Sequence, residues 1–404
     1  MPNTSNDIVV IGGGLVGFAL AKAVSALGYS ITLIESREVQ SPKITELDNR
    51  SIALSYPTIS ALKSLGVWER LSSQAQEIKQ IHVSDKGRYG QATINGDKEH
   101  LPFLGAVVEM PYLHNALIDS IKDENVKIIS PAMVEAIDKT DAYYHLKIKQ
   151  GDKYYALNAK LIIACDGANS QIRESLELPT YKKQYNQIAM VCNIQLKRSH
   201  EGMAYERFYK DGVTAMLPLT QNRCGCIWTM PPELADIFKT LSPAEILKKT
   251  QEQFGYRLGR FLNIGKVGWF PLSLIRAEKL YKDNVLLFGN AAHFLHPVSA
   301  QGFNLSVRDI ACLGDLISEH GLNEDNHILL EQYEVQRLND QKRTATITNG
   351  LIDIFGEQSL KYCVGRRLGL HFFERSKFGK KLMNKVMMGR DGKLSRLHLN
   401  KIES

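Results

Sequence analysis

Long apolar runs are missing from this chain. No window approaches the roughly 18 consecutive apolar residues of a membrane-crossing helix. Cysteine is sparse, 6 in 404 residues, with no C-x-x-C; Cys224 and Cys226 form only C-x-C. That excludes a disulfide framework and a zinc site and leaves reduced thiols as the expectation. No H-E-x-x-H and no Ser/His/Asp pattern at useful spacing occurs, so neither a metalloprotease nor a hydrolase is supported and no metal is expected. Internal repeats and low-complexity stretches are absent as well. The segment Met1–Asp7 is polar and lacks a basic n-region, and Ile8–Ile11 is too short for a secretory h-region. The chain is therefore expected to stay in the cytoplasm.

What is present is an ordinary globular composition, 44% hydrophobic and 23% charged, with length for two or three domains. Charge is unevenly placed. From Leu360 to Ser404 there are twelve Lys and Arg against three acids, a charge of +9, while the whole chain carries +7. The body is thus near neutral and only the tail is basic, which is not the pattern of a nucleic-acid binder.

Asp7-Ile-Val-Val-Ile11 reads as a buried parallel strand, followed by Gly12-Gly13-Gly14-Leu15-Val16-Gly17, a helix over Phe18 to Leu27 closed by Gly28, and a second strand Ser30–Ile34 ending at Glu35. The order strand, glycine turn, helix, strand, acid is the dinucleotide fingerprint. Gly12 permits the tight turn, Gly14 lets backbone approach a pyrophosphate, and Gly17 lets helix and strand pack closely. The helix N-terminus offers free N–H groups to phosphate, and Glu35 offers acceptors to an adenosine ribose. At this point NAD and FAD both remain open.

Two later segments bear on that choice. Leu161-Ile-Ile-Ala-Cys-Asp166-Gly167 is an apolar strand running into Asp-Gly and a polar turn. Asn284–Phe288 is another apolar strand, continuing into Gly289-Asn290-Ala-Ala-His293-Phe-Leu-His296-Pro297 and then Gln301-Gly302-Phe-Asn304-Leu305 with helical periodicity beyond. Small residues there let a flat ring lie against backbone, and a second helix N-terminus faces the turn.

Together the three segments resemble the fingerprints of group A flavoprotein monooxygenases, over roughly residues 7–345. Within that family the chain looks most like the FAD-dependent hydroxylases of ubiquinone biosynthesis. Asp48-Asn-Arg50-Ser-Ile-Ala-Leu-Ser55 and Pro271-Leu are marks of that group. Finer matches point to the branch acting on polyprenyl-methoxyphenol rings: His82-Val-Ser-Asp-Lys-Gly87, Tyr205-Glu-Arg-Phe208, Ala215-Met-Leu-Pro-Leu219, Arg223-Cys, Phe254-Gly-Tyr-Arg-Leu-Gly259 and Leu295-His-Pro297. Asn290 stands where the broad family has Asp, and keeps an acceptor oxygen. Ser299-Ala300-Gln301 stands where Ala-Gly-Gln is usual.

The resemblance implies an α/β (α+β overall) fold in which a Rossmann-like FAD-binding domain is interleaved with a mixed β-sheet substrate domain, plus a helical C-terminal tail. The expected division is 1–80, 111–180 and 276–345 for FAD, 81–110 and 181–275 for substrate, and 346–404 for the tail. Alternation such as Arg223-Cys-Gly-Cys-Ile-Trp228 suggests half-buried strands over about 80–110 and 180–275. It implies FAD reduced by NADPH or NADH, O2 uptake to a C4a-hydroperoxide, and oxygen transfer to a polyprenyl phenol, with water excluded. By resemblance Gly12, Gly14, Gly17 and Glu35 hold the ADP half of FAD, with Arg37 and Arg50 as cationic contacts. Asp166 and Gly167 form the central fingerprint and Asn290 the ribityl–phosphate region. Pro297, Gly302, Asn304 and Leu305 lie against the ring. His296, Pro297 and Pro271 are wall candidates, His293 reads as a satisfied core histidine, and no catalytic base is identified.

No second G-x-G-x-x-G follows a strand, so a reductase with its own NADPH domain is disfavoured. Trp68, Trp228 and Trp269 are never two apart, so the W-x-W of flavin halogenases is absent. Three other readings stand: a sister ubiquinone hydroxylase, a monooxygenase of a small soluble phenol, and a flavin-binding scaffold subunit. Other ubiquinone-biosynthesis proteins are expected partners. On a helix over 377–387, Phe378, Leu382, Met383, Val386 and Met387 fall opposite Lys377, Lys380, Lys381 and Lys385. That suits either peripheral contact with the inner face of the cytoplasmic membrane or docking on the body.

Overall fold

The computed structural model describes residues 5–356, apart from 43, 46, 48–49, 87–90, 97–100, 123, 140–142, 210–211 and 298–299. The basic helix expected over 377–387 lies outside the described residues.

The apolar run Ile8–Ile11 is buried on both faces and forms the centre of a parallel sheet. Ser5–Ile11 pairs with Lys153–Ala164 on one side and Ile31–Ile34 on the other; Val285–Leu287 and Val126–Ile129 extend the parallel order. An antiparallel flap, Met133–Lys139 and Tyr144–Gln150, continues from Lys153–Ala164. The helix after the glycine turn runs Leu15–Ser25, and Gly28 follows it at φ +85°. A Cβ at Gly17 would lie 1.9 Å from the Gly12 carbonyl oxygen, so only glycine lets this helix cross its own turn.

A second, nine-stranded mixed sheet carries the other lobe. Its spine is the 17-residue strand Thr180–Leu196, flanked by Gly268–Ala277 and Arg223–Met230. Gly212–Leu219, Met203–Tyr209, Gln80–Asp85 and Gln91–Asn95 complete one wing. The expected strand pattern over 180–275 is interrupted by two helices, Pro232–Lys239 and Pro243–Phe254. Both begin with proline, and the second has a Ser242–Glu245 capping box, a signal readable as S-x-x-E. They bury Ala235, Phe238, Ile246 and Phe254 against Met190, Cys192, Met216 and Trp228.

Between the two sheets lies a three-stranded one: Ser51–Ser55, Gly105–Glu109 and Gln76–Ile78. Here 105–109 is buried at every position, not half-buried in alternation, because it is covered on both faces. Its last residue, Glu109, receives a bidentate pair from Arg223 at 3.0 and 2.9 Å, both side chains almost fully buried. A Cβ at Gly225 would meet Ser51 Oγ at 2.3 Å, so the Ser51 side chain packs directly on the Gly225 backbone.

Candidate functional site

A cavity of about 910 Å³ opens at the carboxyl ends of the parallel strands, where open α/β sheets bind their ligands and at the upper end of ligand-pocket sizes. Its floor is the glycine turn. Gly12 sits at φ +110° and donates its N–H to the Ile34 carbonyl at 2.8 Å. A Cβ there would lie 2.4 Å from the Cys165 carbonyl oxygen. Around Gly14 a Cβ would meet nothing within 4 Å: the space belongs to the cavity. Gly14 is also the N-cap of Leu15–Ser25, which has no side-chain cap and no acid in its first turn. Its N–H groups and the positive end of its dipole face the cavity, the environment a pyrophosphate needs.

Glu35 lies on the same wall. Its Oε1 accepts from Arg37 N–H at 2.9 Å and Ser36 Oγ at 3.1 Å, while its Oε2 accepts from Gly13 N–H at 2.6 Å and keeps a further lone pair for a hydroxyl. Arg37 is exposed on the rim. Arg50 also lines the cavity and places its guanidinium 5.2 Å from the Phe270 ring centroid of the second lobe. Asp166 Oδ2 accepts from Ile172 N–H at 3.3 Å, while its Oδ1 is buried without a protein partner among the described residues. Gly167, at φ +92°, completes that wall. An uncapped helix start, an orphaned acceptor and a bare glycine cradle fit an extended dinucleotide such as FAD.

Sequence reasoning missed several neighbours. His114 lines the cavity from the helix Met110–Ser120, edge-on to Phe18, and burial holds its imidazole below the usual histidine range. Nothing in the sequence ties that helix to the glycine turn. Arg173, 3% exposed, donates to the Ala168 and Ala291 carbonyls, each at 2.8 Å. It clamps the Asp-Gly turn to the Gly289–Ala291 turn.

Of the late fingerprint, Ala300, Gln301 and Asn304 line a smaller cavity, and none of the fingerprint's described residues lines the large one. Asn290 is exposed and lines neither cavity described here. Pro271 is exposed in the strand Gly268–Ala277, paired with Ile188, and also lies off both walls. Pro297 and Gly302 are half-buried, likewise off both. Leu305 is fully buried with Leu274, Leu295 and Ala345, a packing role. Asn304 is a backbone tie: its amide donates to the Ala53 and Ala300 carbonyls at 3.0 and 2.7 Å, and its Oδ1 accepts from Ser55 N–H at 2.9 Å. With those bonds made, its polar atoms hold the strand Ser51–Ser55 against the start of the helix Gln301–His320. His296 is 2% exposed, edge-on to Tyr185, and burial pushes it down to about 4, so the ring is neutral at neutral pH. His293 is a buried partner of Asp309, as read from sequence.

A second, smaller cavity of about 90 Å³ lies at this helix start. Ile78, Ile81, Ile94, Leu104 and Leu217 make it mostly apolar, with Gln301 and Asn304 at one end. The strand Ser51–Ser55 lies just after Arg50 of the large cavity and contributes Ala53 and Leu54 to the small one, so one short element joins the two.

A parallel-sheet dinucleotide cradle sharing an interface with a second, mixed sheet is an architecture of FAD-dependent monooxygenases, and the comparisons place the chain in that class. The family described as the FAD binding domain matches residues 5–348. Ubiquinone hydroxylase UbiL of Rhodospirillum rubrum is 29% identical over 392 residues, covering 95% of this chain and 89% of that protein. The 3-demethoxyubiquinol 3-hydroxylase of Escherichia coli is 30% identical over 348 residues, covering 84% and 87%. Among solved structures, p-nitrophenol 4-monooxygenase PnpA from Pseudomonas putida superposes with a TM-score of 0.77 at 19% identity, covering 99% of this chain and 100% of that one. The chain belongs to the FAD-dependent hydroxylases of ubiquinone biosynthesis. FAD is its cofactor, with NAD(P)H and O2 as co-substrates typical of the class. No helix among the described residues is long and apolar enough to cross a membrane.

Proposed function

We propose that the enzyme hydroxylates the ring of a polyprenyl-methoxyphenol. The observation that carries this is the small apolar cavity, walled by Ile81, Ile94 and Leu217 of the second sheet and closed by Gln301 and Asn304. An aromatic ring is buried there by apolar contact, with Gln301 the amide at the cavity wall and Asn304 fixing the backbone beside it. The methoxyphenol branch itself rests on the sequence matches given above.

When bound, FAD supplies the activated oxygen, and the chain's own residues do the rest. Gly12, Gly14 and Gly17 shape the turn that receives the pyrophosphate; Glu35 and Asp166 accept from hydroxyls; Arg37 and Arg50 balance the phosphate charge. By the resemblance, Asn290 would serve the ribityl–phosphate region and the segment Pro297, Gly302, Asn304 and Leu305 would back the ring, with His296 a neutral wall. The buried Arg223–Glu109 pair and the Asn304 tie hold the two lobes closed, which keeps water from the reacting carbon. The division of the chain into 1–80, 111–180 and 276–345 for cofactor and 81–110 and 181–275 for substrate belongs to the same proposal.

A sister step has one observation in its favour, the 30% identity to a 3-demethoxyubiquinol 3-hydroxylase. Mass spectrometry of lipid extracts from cells lacking the gene separates the two. Accumulated polyprenyl-methoxyphenol with lost ubiquinone supports the methoxyphenol ring. A trapped demethoxyquinol assigns the sister step. Unchanged ubiquinone, with no redundant hydroxylase present, overturns both.

A further inference from the structure

Three of the segments singled out in the sequence converge on the second sheet, and none of their residues lines the large cavity. They are His82 to Lys86, Tyr205 to Phe208, and Phe254 to Gly259. Strands Gln80–Asp85 and Met203–Tyr209 run parallel, with His82 beside Tyr205 and Ser84 beside Arg207. The helix Pro243–Phe254 ends over them at Gly255, φ +88°. The result is a group of cations. Arg257 Nη1 lies 2.8 Å from His82 Nε2. Arg207 Nη1 donates to the Phe254 carbonyl at 2.8 Å, and Lys86 Nζ to Gln253 Oε1 at 2.6 Å.

No carboxylate of a described residue forms an ion pair with Lys86, Arg207 or Arg257. Arg207 Nε is buried with no acceptor among the described residues. Burial, then the charge of Arg257, holds Arg207 below the usual guanidinium range; burial, then Arg207, does the same to Lys86. Burial chiefly, with Arg257 and Arg207 adding, also lowers His82. Like charges are thus held together against their own repulsion, part of it out of water, where repulsion is strongest. Of these groups, the helix C-terminus takes a donor from Arg207 alone, through the Phe254 carbonyl, and carries only a partial charge. The donors come from three chain segments at different angles, which suits tetrahedral oxygens better than a planar carboxylate.

We propose that Lys86, Arg207 and Arg257, with His82, form a binding site for a phosphate group. The site is independent of the substrate reading above. Two sources share this chemistry: a soluble phosphate compound and the phosphate of an anionic lipid headgroup. Tyr256, 68% exposed beside Arg257, is an amphipathic side chain compatible with either.

The test uses the full chain loaded with FAD, so that the dinucleotide site is filled. Inorganic phosphate is titrated at constant ionic strength by calorimetry, with wild type compared with the double variant Lys86→Gln, Arg257→Gln. Arg207 stays in place, so the helix end keeps its cap. Phosphate is expected to bind the wild type and to bind the variant about tenfold more weakly or worse. A second readout is the His82 imidazole by NMR: bound phosphate raises its midpoint in the wild type only. Equal affinity in both proteins, or no binding at about 10 mM phosphate, overturns the proposal. Vesicles of phosphatidylcholine with about 30% phosphatidylglycerol distinguish the sources. Co-sedimentation that phosphate competes away and the variant lacks assigns the headgroup. Phosphate binding without co-sedimentation assigns a soluble phosphate compound.

Discussion

His293 Nε2 stands 2.6 Å from Asp309 Oδ2, with both side chains wholly excluded from solvent. The carboxylate's other oxygen accepts from Arg337 Nε at 2.5 Å, and Arg337 Nη2 donates to Asp340 at 2.6 Å. The turn after Gly289–Ala291 is thereby fixed to the helix Gln301–His320 and, through Arg337, to the helix His327–Gly356. Burial works against the Asp309 charge, but Arg337 and His293 outweigh it and keep the carboxyl below its usual range.

Asp309→Asn leaves Arg337 with less than its compensating charge in a buried site. The expected loss is about 3–5 kcal/mol, the usual result of breaking one side of a buried pair. Urea denaturation of the variant measures it. A loss under about 1 kcal/mol would show that Asp340 alone satisfies Arg337.

Gly14 and Gly17 separate two effects that a glycine fingerprint confounds. Gly17→Ala puts a Cβ 1.9 Å from the Gly12 oxygen, so the fold itself suffers. Gly14→Ala meets no protein atom within 4 Å and costs at most about 1 kcal/mol as a poorer N-cap. Its flavin affinity is nevertheless expected to drop at least about tenfold, because the new methyl occupies the phosphate's space. Melting temperature and flavin absorbance per chain read the two effects separately. Wild-type flavin affinity in Gly14→Ala would move the pyrophosphate away from this helix start.

Ala300 occupies φ +49°, ψ +36°, a left-handed conformation that an L side chain resists, and it stands where glycine is usual in the wider family. Ala300→Gly removes that strain but gives the unfolded chain more freedom, for a net gain of about 0.5–1 kcal/mol. The shift in urea midpoint checks it, and a fall in stability is the result that contradicts the strain.

His296 sets a pH dependence whose sign follows from burial. Its folded value of about 4 lies below the ordinary 6.5, so above 6.5 both states are neutral and nothing is lost. As pH falls from 6.5 to 4 the unfolded chain takes up a proton that the folded one refuses. Stability drops by about 3 kcal/mol over that window and no further below it. Asp309 and Asp340, held low by Arg337 and its neighbours, lose their contributions only at more acidic pH. His296→Phe keeps an aromatic edge toward Tyr185 and abolishes the step between 6.5 and 4. Parallel stability curves for the two proteins across that window would refute the assignment.

The sequence made the cofactor half of the site legible because its signals are local. Gly12, Gly14, Glu35, Asp166 and Gly167 follow the ends of apolar strands and line the large cavity, and Gly17 lies in the first turn of the helix packed on that turn. The late segment was harder to read. Asn304 reads in sequence as a ligand-facing amide beside a glycine, but its hydrogen bonds to Ala53 and Ser55, about 250 positions away, are visible only in the tertiary fold. His114 and Arg173 were missed for the same reason. The helices Pro232–Lys239 and Pro243–Phe254 were a different failure: Ser242-Pro-Ala-Glu245 announced one of them, but alternation in the flanking strands dominated the reading.

The pairing of Ser5–Ile11 has a consequence for biosynthesis. Ile8 is the neighbour of Leu161, and Ile162 that of Val285. At about 5–20 residues per second on the ribosome, Ile8 waits roughly 8–30 s for the strand beside it. The next strand out emerges later still. Through that interval the most hydrophobic stretch of the fingerprint has only Ile31–Ile34 to lean on. The order of the parallel sheet therefore leaves its central strand short of one neighbour until more than a third of the chain has been made.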